Sequence, residues 1–563
     1  MKRKNILFGA IATIAVCLSI VVGATFALFT STSEVNVAVT AGTVQVTATI
    51  DHLETSHQEW NAENAAYETK DRLYSGTSML DTEKQILTLD NIVPSDKAAF
   101  TIDVKNDSAV PVKYRTIITS VDDNGLVAGL KITVNGVEFA GSAVTAWTDL
   151  AVGGTIDPVN VSVELPLDAG VEYQGKSCIL SYKVEAVQGN GKVLNGVTFT
   201  SGKTILNNDI NVGEVNDGSA PAAILASGAD TEVTIIGGNY NGGSKANNKC
   251  IQVENGATVT IKDGYFTVGS DATGIGNSVV ETWGGNVIIE GGRFETDYAW
   301  KGFYYVLNQQ NKTPGTITVK GGTFVNYNPA EGDDYLGGNF VADGYHVEMT
   351  LEGGKKIYTV KPDSEITPVE TTDVITGDAE INNLKIKTTK DGDNVAAVNA
   401  GAGANVIING GYYLGGGKHN FAVKAADGAN VTINGGVFNG GKGGDNQSVH
   451  VRNGAKVTIK DGYFTVGGDA NDIGNALIES NGGEIVIEGG FFKSEKAYNG
   501  KYYVLNQKND NPGTITVTGG TFVNYNPAGG DDNRGGNFVA DGYKVVESKK
   551  ENGDIWYTVV PEV

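Results

Sequence analysis

Few residues in this chain have both the type and the spacing for chemistry. Asp333 and Asp334 form an adjacent carboxylate pair that recurs as Asp531 and Asp532, near Tyr327 and Tyr525. Paired carboxylates can hold a cation or protonate a leaving group, so these four are the candidate metal ligands or acids. Gly332 and Gly530 precede the pairs, and Gly-Asp-Asp is also ordinary turn sequence. A solvated turn is the preferred reading. No catalytic or cofactor-binding residue is assigned, and no cofactor is expected.

The five histidines are His52, His57, His346, His419 and His450. None lies in H-E-x-x-H, the helical arrangement that aims two imidazoles at one zinc with a Glu to activate water. His52 and His57 sit in a polar, acidic stretch and are expected to face solvent. Trp283, Trp300, Tyr298 and Tyr304 could line a sugar-binding face, with packing inside the fold as the preferred alternative. Cys178 falls in phase with Leu180 and Tyr182 and should be a buried thiol, whereas Cys250 is expected to face out. A bridge between Cys178 and Cys250 is the less favoured alternative.

These residues belong to a chain of 563 with 42 Lys+Arg against 65 Asp+Glu, a formal charge of -23. That balance argues against nucleic acid, whose binders cluster Lys and Arg to displace counterions. It also argues against adsorption to anionic lipid. Gly is abundant, 77 residues, but follows no G-X-Y period, which excludes collagen. Lys2, Arg3 and Lys4 precede an uncharged run from Ile6 to Phe29 that ends in small residues, Gly23-Ala24-Thr25-Phe26-Ala27. This is the form of a secretory signal over 1–27, with cleavage between Ala27 and Leu28. An uncleaved membrane anchor is the alternative; otherwise the membrane is met only through this segment.

Residues 28–190 alternate in short runs: Val35/Val37/Val39, Val44/Val46/Ala48/Ile50, Phe100/Ile102/Val104, Ile132/Val134, Val161/Val163 and Leu180/Tyr182/Val184/Ala186. Period-two alternation marks strands, and Asn135-Gly136 is a strong hairpin signal, so an antiparallel β-sandwich is expected. The acidic stretch Asp51–Gln85 breaks the pattern and reads as an inserted loop with room for a short helix.

The stretch GATFALFTSTSEVNVAVTAGTVQVTATI, with LTLDNIVPSDKAAFTIDVKNDS and LSYKVEAVQGNG further on, resembles the TasA/camelysin proteins of Gram-positive bacteria. Ser95 stands where that family usually has Gly. The resemblance covers about 160 residues. It implies a SipW-type signal peptide and an extracellular β-sandwich subunit of the cell surface or biofilm matrix. It also implies that the freed N-terminal segment, Leu28 to about Val39, can add as a strand to the next subunit. The same segment pairing within its own domain is the preferred reading.

Residues 195–563 are a duplication at a constant offset of 198: GYFTVG at 264 and 462, YYVLNQ at 304 and 502, GGTFVNYNPA at 321 and 519. Within each copy a shorter unit, V/I-x-I/V-x-x-G-x-F/Y, recurs nine times in all, from Val233/Ile235/Gly238/Tyr240 to Ile515/Val517/Gly520/Phe522, at steps of 25 to 30 residues. A period in this range means a solenoid. No amphipathic helix is visible in the unit, so the short β-branched strand, Gly corner and aromatic predict a parallel β-helix with aliphatic and ring ladders inside. The repeats resemble the right-handed, pectin-lyase-like β-helices. Segments after each set read as caps, and Pro362–Pro368 as a linker. The expected order is therefore signal 1–27, sandwich 28–190, β-helix module 195–361, linker 362–368, β-helix module 369–563.

Enzymes on that fold cut acidic polysaccharides, but this chain lacks an NTD…DD…HG…RIK-like series. Arg293, Arg452 and Arg534 have no Arg counterpart in the other copy. The expectation is a secreted, extracellular surface or matrix protein that acts by self-association and by binding a carbohydrate or host surface. A polysaccharide lyase or hydrolase and a monomeric adhesin without fibres are the alternatives.

Overall fold

The computed structural model describes residues 30–33, 45–72, 80–155, 158–189, 195–213, 222–244, 247–269, 276–296, 304–310, 312–332, 338–468, 474–496, 502–529, 536–550 and 553–562. The signal segment with Ala27 and Leu28, the strand Val35–Val39, and Asp333, Asp334, Asp531 and Asp532 lie outside the described residues. The protein is all-β, with antiparallel sheets in the N-terminal part and a β-solenoid of the right-handed type, about 11 turns, in the C-terminal part. It divides into two compact units, Met1–Asn277 with Trp283–Val287, and Ser278–Thr282 with Ile288–Val563.

The first unit opens with β1 (Thr30–Ser33), β2 (Val46–Asn61), β3 (Ala66–Asp71), β4 (Leu80–Asp81), β5 (Ile86–Leu89), β6 (Lys97–Asn106) and β7 (Val112–Asp123). It continues with β8 (Lys131–Val134), β9 (Val137–Ala140), β10 (Ala143–Val144), β11 (Thr148–Leu150), β12 (Val159–Glu164) and β13 (Cys178–Gln188). One sheet has the order β3-β2-β6-β12-β8-β9. In the other, β13 pairs with β7 along one side and with β5 and β1 on the opposite side. The alternating residues face each other between the sheets: Phe100, Ile102, Val104, Ile132, Val134, Val161 and Val163 meet Leu180, Tyr182, Val184 and Ala186, all buried. Asn135 (φ +48°) and Gly136 (φ +80°) turn β8 into β9, as the dipeptide requires.

Ser95 takes the left-handed conformation that glycine would, φ +79°. Its hydroxyl supports the turn, accepting the Gln58 N–H at 2.9 Å and lying 3.3 Å from the Gln58 carbonyl. The Asp51–Gln85 stretch is not an inserted loop and carries no helix. β2 runs through it to Asn61, bulged between Asp51 and Glu54, and returns as β3. Beyond Ser56, the last residue of β2 paired to β6, the two strands form a ribbon paired only to each other among the described residues. Past the half-buried Ser56 and His57 most ribbon residues on both faces are exposed, so the alternation that marks a half-buried strand does not arise. Arg72, hydrogen-bonded to Asp96, and the Arg72 N–H on the Thr55 carbonyl at 3.1 Å clamp the ribbon at its base.

Sandwich and first coil join inside this unit. Ser120 of β7 pairs with Ile205, and the Arg115 guanidinium binds the Gly196 carbonyl at 2.8 Å and Glu185 at 2.7 Å. From here strands run parallel: Gly202–Leu206 on Thr231–Asn241, then on Thr258–Val268. Tyr240 stacks on Phe266 with centroids 5.1 Å apart.

In the second unit the register carries each repeat onto the next. Val431 pairs with Val457, that with Ile485, and that with Ile515. Tyr413, Phe438, Phe464, Phe492 and Phe522 form an unbroken stack with centroids 4.7–5.0 Å apart, close to the interstrand spacing. All nine ring residues and all nine aliphatic pairs of the repeat are buried. The nine corner glycines all have φ between +92° and +143°. At Gly462 a Cβ would lie 2.8 Å from the Phe464 ring, so glycine is required both by the turn and by the ring beneath it.

An antiparallel hairpin ends each set. Tyr345–Glu352 and Lys355–Pro362 pair with each other, and the second strand pairs with Thr323–Val325. Tyr543–Lys549 and Ile555–Pro561 repeat this on Thr521–Val523. The first hairpin also reaches the second copy, with Met349 opposite Gly411 and Thr350 opposite Gly410. Asp363–Glu365 is a 3-10 turn, and Thr367–Val369 pairs in parallel with Leu384–Thr388.

Candidate functional site

Tyr327 and Tyr525, the aromatic neighbours of the carboxylate pairs, are buried beside Phe324 and Phe522 at 6.1 and 6.2 Å. They are core residues and present no ring to a ligand. No cluster of three or more His, Cys, Asp or Glu suited to a metal occurs among the described residues. Trp300 and Tyr298 lie outside those residues; Trp283 is partly exposed, and Tyr304 is placed only as part of a strand. Cys178 and Cys250 are both free and both buried. Cys250 therefore points in, not out, and there is no bridge. Its thiol donates to the Tyr240 carbonyl at 3.3 Å, and the equivalent Ser448 is buried too, accepting the Gly440 N–H at 3.2 Å. Burial pushes both thiols well above their ordinary pKa, which keeps them unreactive.

Two ionic clusters escaped the sequence pattern, and both are in the second unit. Lys424, His450, Glu479 and Asn506 are successive rungs of one ladder on the Val395–Gln507 sheet. Glu479, 2 % exposed, lies 3.1 Å from His450 Nδ1, accepts from Asn506 Nδ2 at 2.7 Å and is 3.6 Å from Lys508 Nζ. Burial opposes its ionisation, but the His450 hydrogen bond and the His450 and Lys508 charges outweigh it and hold the carboxyl below its usual value. Lys508 is raised: burial opposes its charge and Glu479 more than compensates. Lys424 is lowered by burial and then by Arg452. In the first copy Glu281 takes the place of Glu479, accepting from Asn308 Nδ2 at 2.7 Å and Ser278 Oγ at 2.9 Å. The recurrence of Glu and Asn at the 198-residue offset was the available signal.

The second cluster binds the first cap to the second copy. His346 contacts Asp363 at 3.1 Å and Glu348 at 3.2 Å, and Lys385 reaches Glu348 at 2.7 Å and Glu365 at 2.9 Å. Burial works against the Glu348 charge, yet His346 and Lys385 hold it below its ordinary value. The His346 ring lies 4.4 Å from Tyr412, whose hydroxyl burial pushes up to about 12. Both clusters tie strand to strand.

An edge that a strand from another chain could complete lies in the sandwich. β13 offers one edge in two halves: Cys178–Ser181 is covered by β5, and Val184–Val187 by β1, with Thr30 opposite Val187 and Ser33 opposite Val184. A four-residue strand thus closes an edge whose N–H and C=O groups would otherwise be open to another chain. On the outer face of the other sheet lies an open groove of about 440 Å³, lined by His52, Glu54, Lys97, Thr101, Thr133 and Ser162. His52 sits in the β2 bulge at φ +56°, exposed as expected. Comparisons with family models, with curated proteins and with solved structures find no match to this chain.

Proposed function

We propose that this is a secreted structural protein of a bacterial cell surface or matrix, acting by self-association and ligand binding, with a TasA/camelysin-like sandwich that joins copies and a β-solenoid that presents surface. The observation that supports this reading is the pairing of β1 with the Val184–Val187 half of the β13 edge. After cleavage between Ala27 and Leu28, β1 would lie two residues from a free N-terminus. A strand so short and so close to a chain end contributes few hydrogen bonds and is exchangeable between copies at little net cost, since the same bonds form in cis or in trans.

The test is electron microscopy and light scattering of protein beginning at Leu28, beside protein beginning at Thr40. The first is expected to form fibres and the second to remain dispersed. A synthetic peptide of residues 28–39 should bind the shortened protein and not the intact one. If the shortened protein assembles as well as the longer one, strand exchange is wrong.

A further inference from the structure

The ribbon carries the most exposed aromatic pair among the described residues. Trp60 and Tyr67 face each other across the strands, 54 % and 51 % exposed, with centroids 5.1 Å apart at 70°. Alternation places Gln58 and Thr69, and beyond them Ser56 and Asp71, on the same face, whose one charged ribbon residue is Asp71. Glu59, Glu68 and Lys70 lie on the other face. There Glu68 accepts from Asn61 and Asn64 at 2.7 Å each and from Lys70 at 2.8 Å, and these three partners hold its carboxyl below the usual range.

The bulge between Asp51 and Glu54 decides which way the aromatic face points. With one extra residue, Glu54 pairs with Ala99 and Ser56 with Lys97, so Glu54, Ser56, Gln58 and Trp60 all lie on the outer side of the sheet. This is the side of the 440 Å³ groove, which Glu54, Ala99 and Lys97 line. Groove and aromatic pair lie on the same side of β2, about 20 Å from Glu54 to Trp60 along an extended strand. This face has a floor of small and hydroxyl-bearing residues, Ala99, Thr101 and Ser162, its charged residues are Glu54, Asp71 and Lys97, and its far end is a pair of open rings.

We propose that this face, from the groove to the ribbon tip, is a binding site for a neutral polysaccharide chain. Hydroxyl, amide and carboxylate groups match sugar hydroxyls, and the rings offer apolar planes to the C–H faces of a pyranose, as amphipathic aromatics do at binding surfaces. A polyanion is disfavoured by the chain's charge of -23, by Glu54 in the groove and by Glu59 and Glu68 next to the rings. A cross-strand aromatic pair also stabilises a hairpin. The Asn61–Glu68–Lys70 network and the Arg72–Asp96 clamp already do so, which leaves the pair's open face unexplained by stability alone.

This rests on the ligand-binding part of the proposed function and not on strand exchange, so assembly is followed in parallel on the same proteins. Calorimetric titration of the mature chain uses cellohexaose, chitohexaose and hexagalacturonate as probes. At least one neutral hexamer is expected to bind and hexagalacturonate not to. Trp60→Ala and Ser162→Arg, one at each end, should each weaken binding at least about tenfold, while Trp60→Phe stays within about threefold of the parent. Fibre formation should be unchanged in all three. Thermal unfolding identifies any variant that loses the fold; should Trp60→Ala do so, Ser162→Arg and Trp60→Phe decide. Failure of both neutral hexamers to bind, preference for hexagalacturonate, or binding untouched by Ser162→Arg would each overturn the site.

Discussion

A single ring and a single glycine show what the solenoid demands of each residue. Phe464 is stacked between Phe438 and Phe492 at 4.9 Å on both sides, with no exposure. Removing it leaves a cavity that the parallel strands above and below are too constrained to fill. Phe464→Ala should therefore cost about 3–5 kcal/mol. Gly462→Ala keeps the ring but forces a Cβ into φ +143° and against it, and should cost about 1–3 kcal/mol. Urea unfolding followed by circular dichroism gives both, with the exposed Lys460→Ala as control; losses no larger than the control's would mean that the ladder does not bear the coil. Glu479 makes an electrostatic statement at the same scale. Its folded pKa lies below its unfolded one, so its contribution is present above the unfolded carboxylate range and is lost as pH falls through the folded value. Glu479→Gln removes that contribution and leaves His450 and Lys508 without their acid. The variant should be less stable at neutral pH by about 3–5 kcal/mol, the usual cost of breaking a buried pair. The gap to the parent should narrow as pH falls below the ordinary carboxylate range of about 4.3 and close once pH passes below the folded value. A constant gap from pH 7 to pH 3 would remove Glu479 from the acid limb.

Elements were legible where one face is buried and illegible where none is. The nine repeats announced strand, corner and ring because each apolar side chain has one inward direction and the period is enforced by stacking. The sandwich strands could be read for the same reason. The ribbon of β2 and β3 could not: its polar residues alternate between two wet faces, so it looks like a loop although it is paired throughout. Cys250 was misplaced because its neighbours gave no cue that a small polarisable side chain fills an interior position that Ser448 fills in the other copy. The ionic ladders were missed because their members lie 26 to 29 residues apart and become neighbours only through register. If the ribbon is held from its base, Asp96 is the residue that holds it. It is buried, accepts the Val93 N–H at 2.7 Å and binds Arg72. Asp96→Ala should lower stability by about 1.5–3 kcal/mol, through the lost charged hydrogen bonds. It should also expose the Glu54–Asp71 backbone to limited proteolysis well before the rest of the sandwich is cut. Cleavage elsewhere first would show that the ribbon stands without its clamp.

At the scale of the molecule, stability in a solenoid is a sum of coils and of interfaces between neighbours, so its ends are the places that matter. A parallel coil with nothing over it presents a full edge of N–H and C=O groups and an uncovered rung of core. Here the last rung, Thr521–Val523, is covered by an antiparallel strand, with Thr558, Tyr557 and Trp556 opposite its three residues. The reversal of direction is what makes the cover effective. A parallel strand would continue the repeat and recreate the same edge, whereas the hairpin turns the chain back on itself. Trp556 adds a lid, packed edge-on against Phe491 at 5.0 Å with the Lys550 ammonium 3.8 Å from its ring centroid. Protein ending at Asp541 should consequently gain a new mode of association through the bared Thr521–Val523 edge. That association should persist when residues 28–39 are also absent, because it uses the opposite end of the sequence from the β1 edge. Light scattering on the two truncations, alone and combined, separates these modes. A chain ending at Asp541 that stays monodisperse without residues 28–39 would mean that the hairpin is not what closes the solenoid.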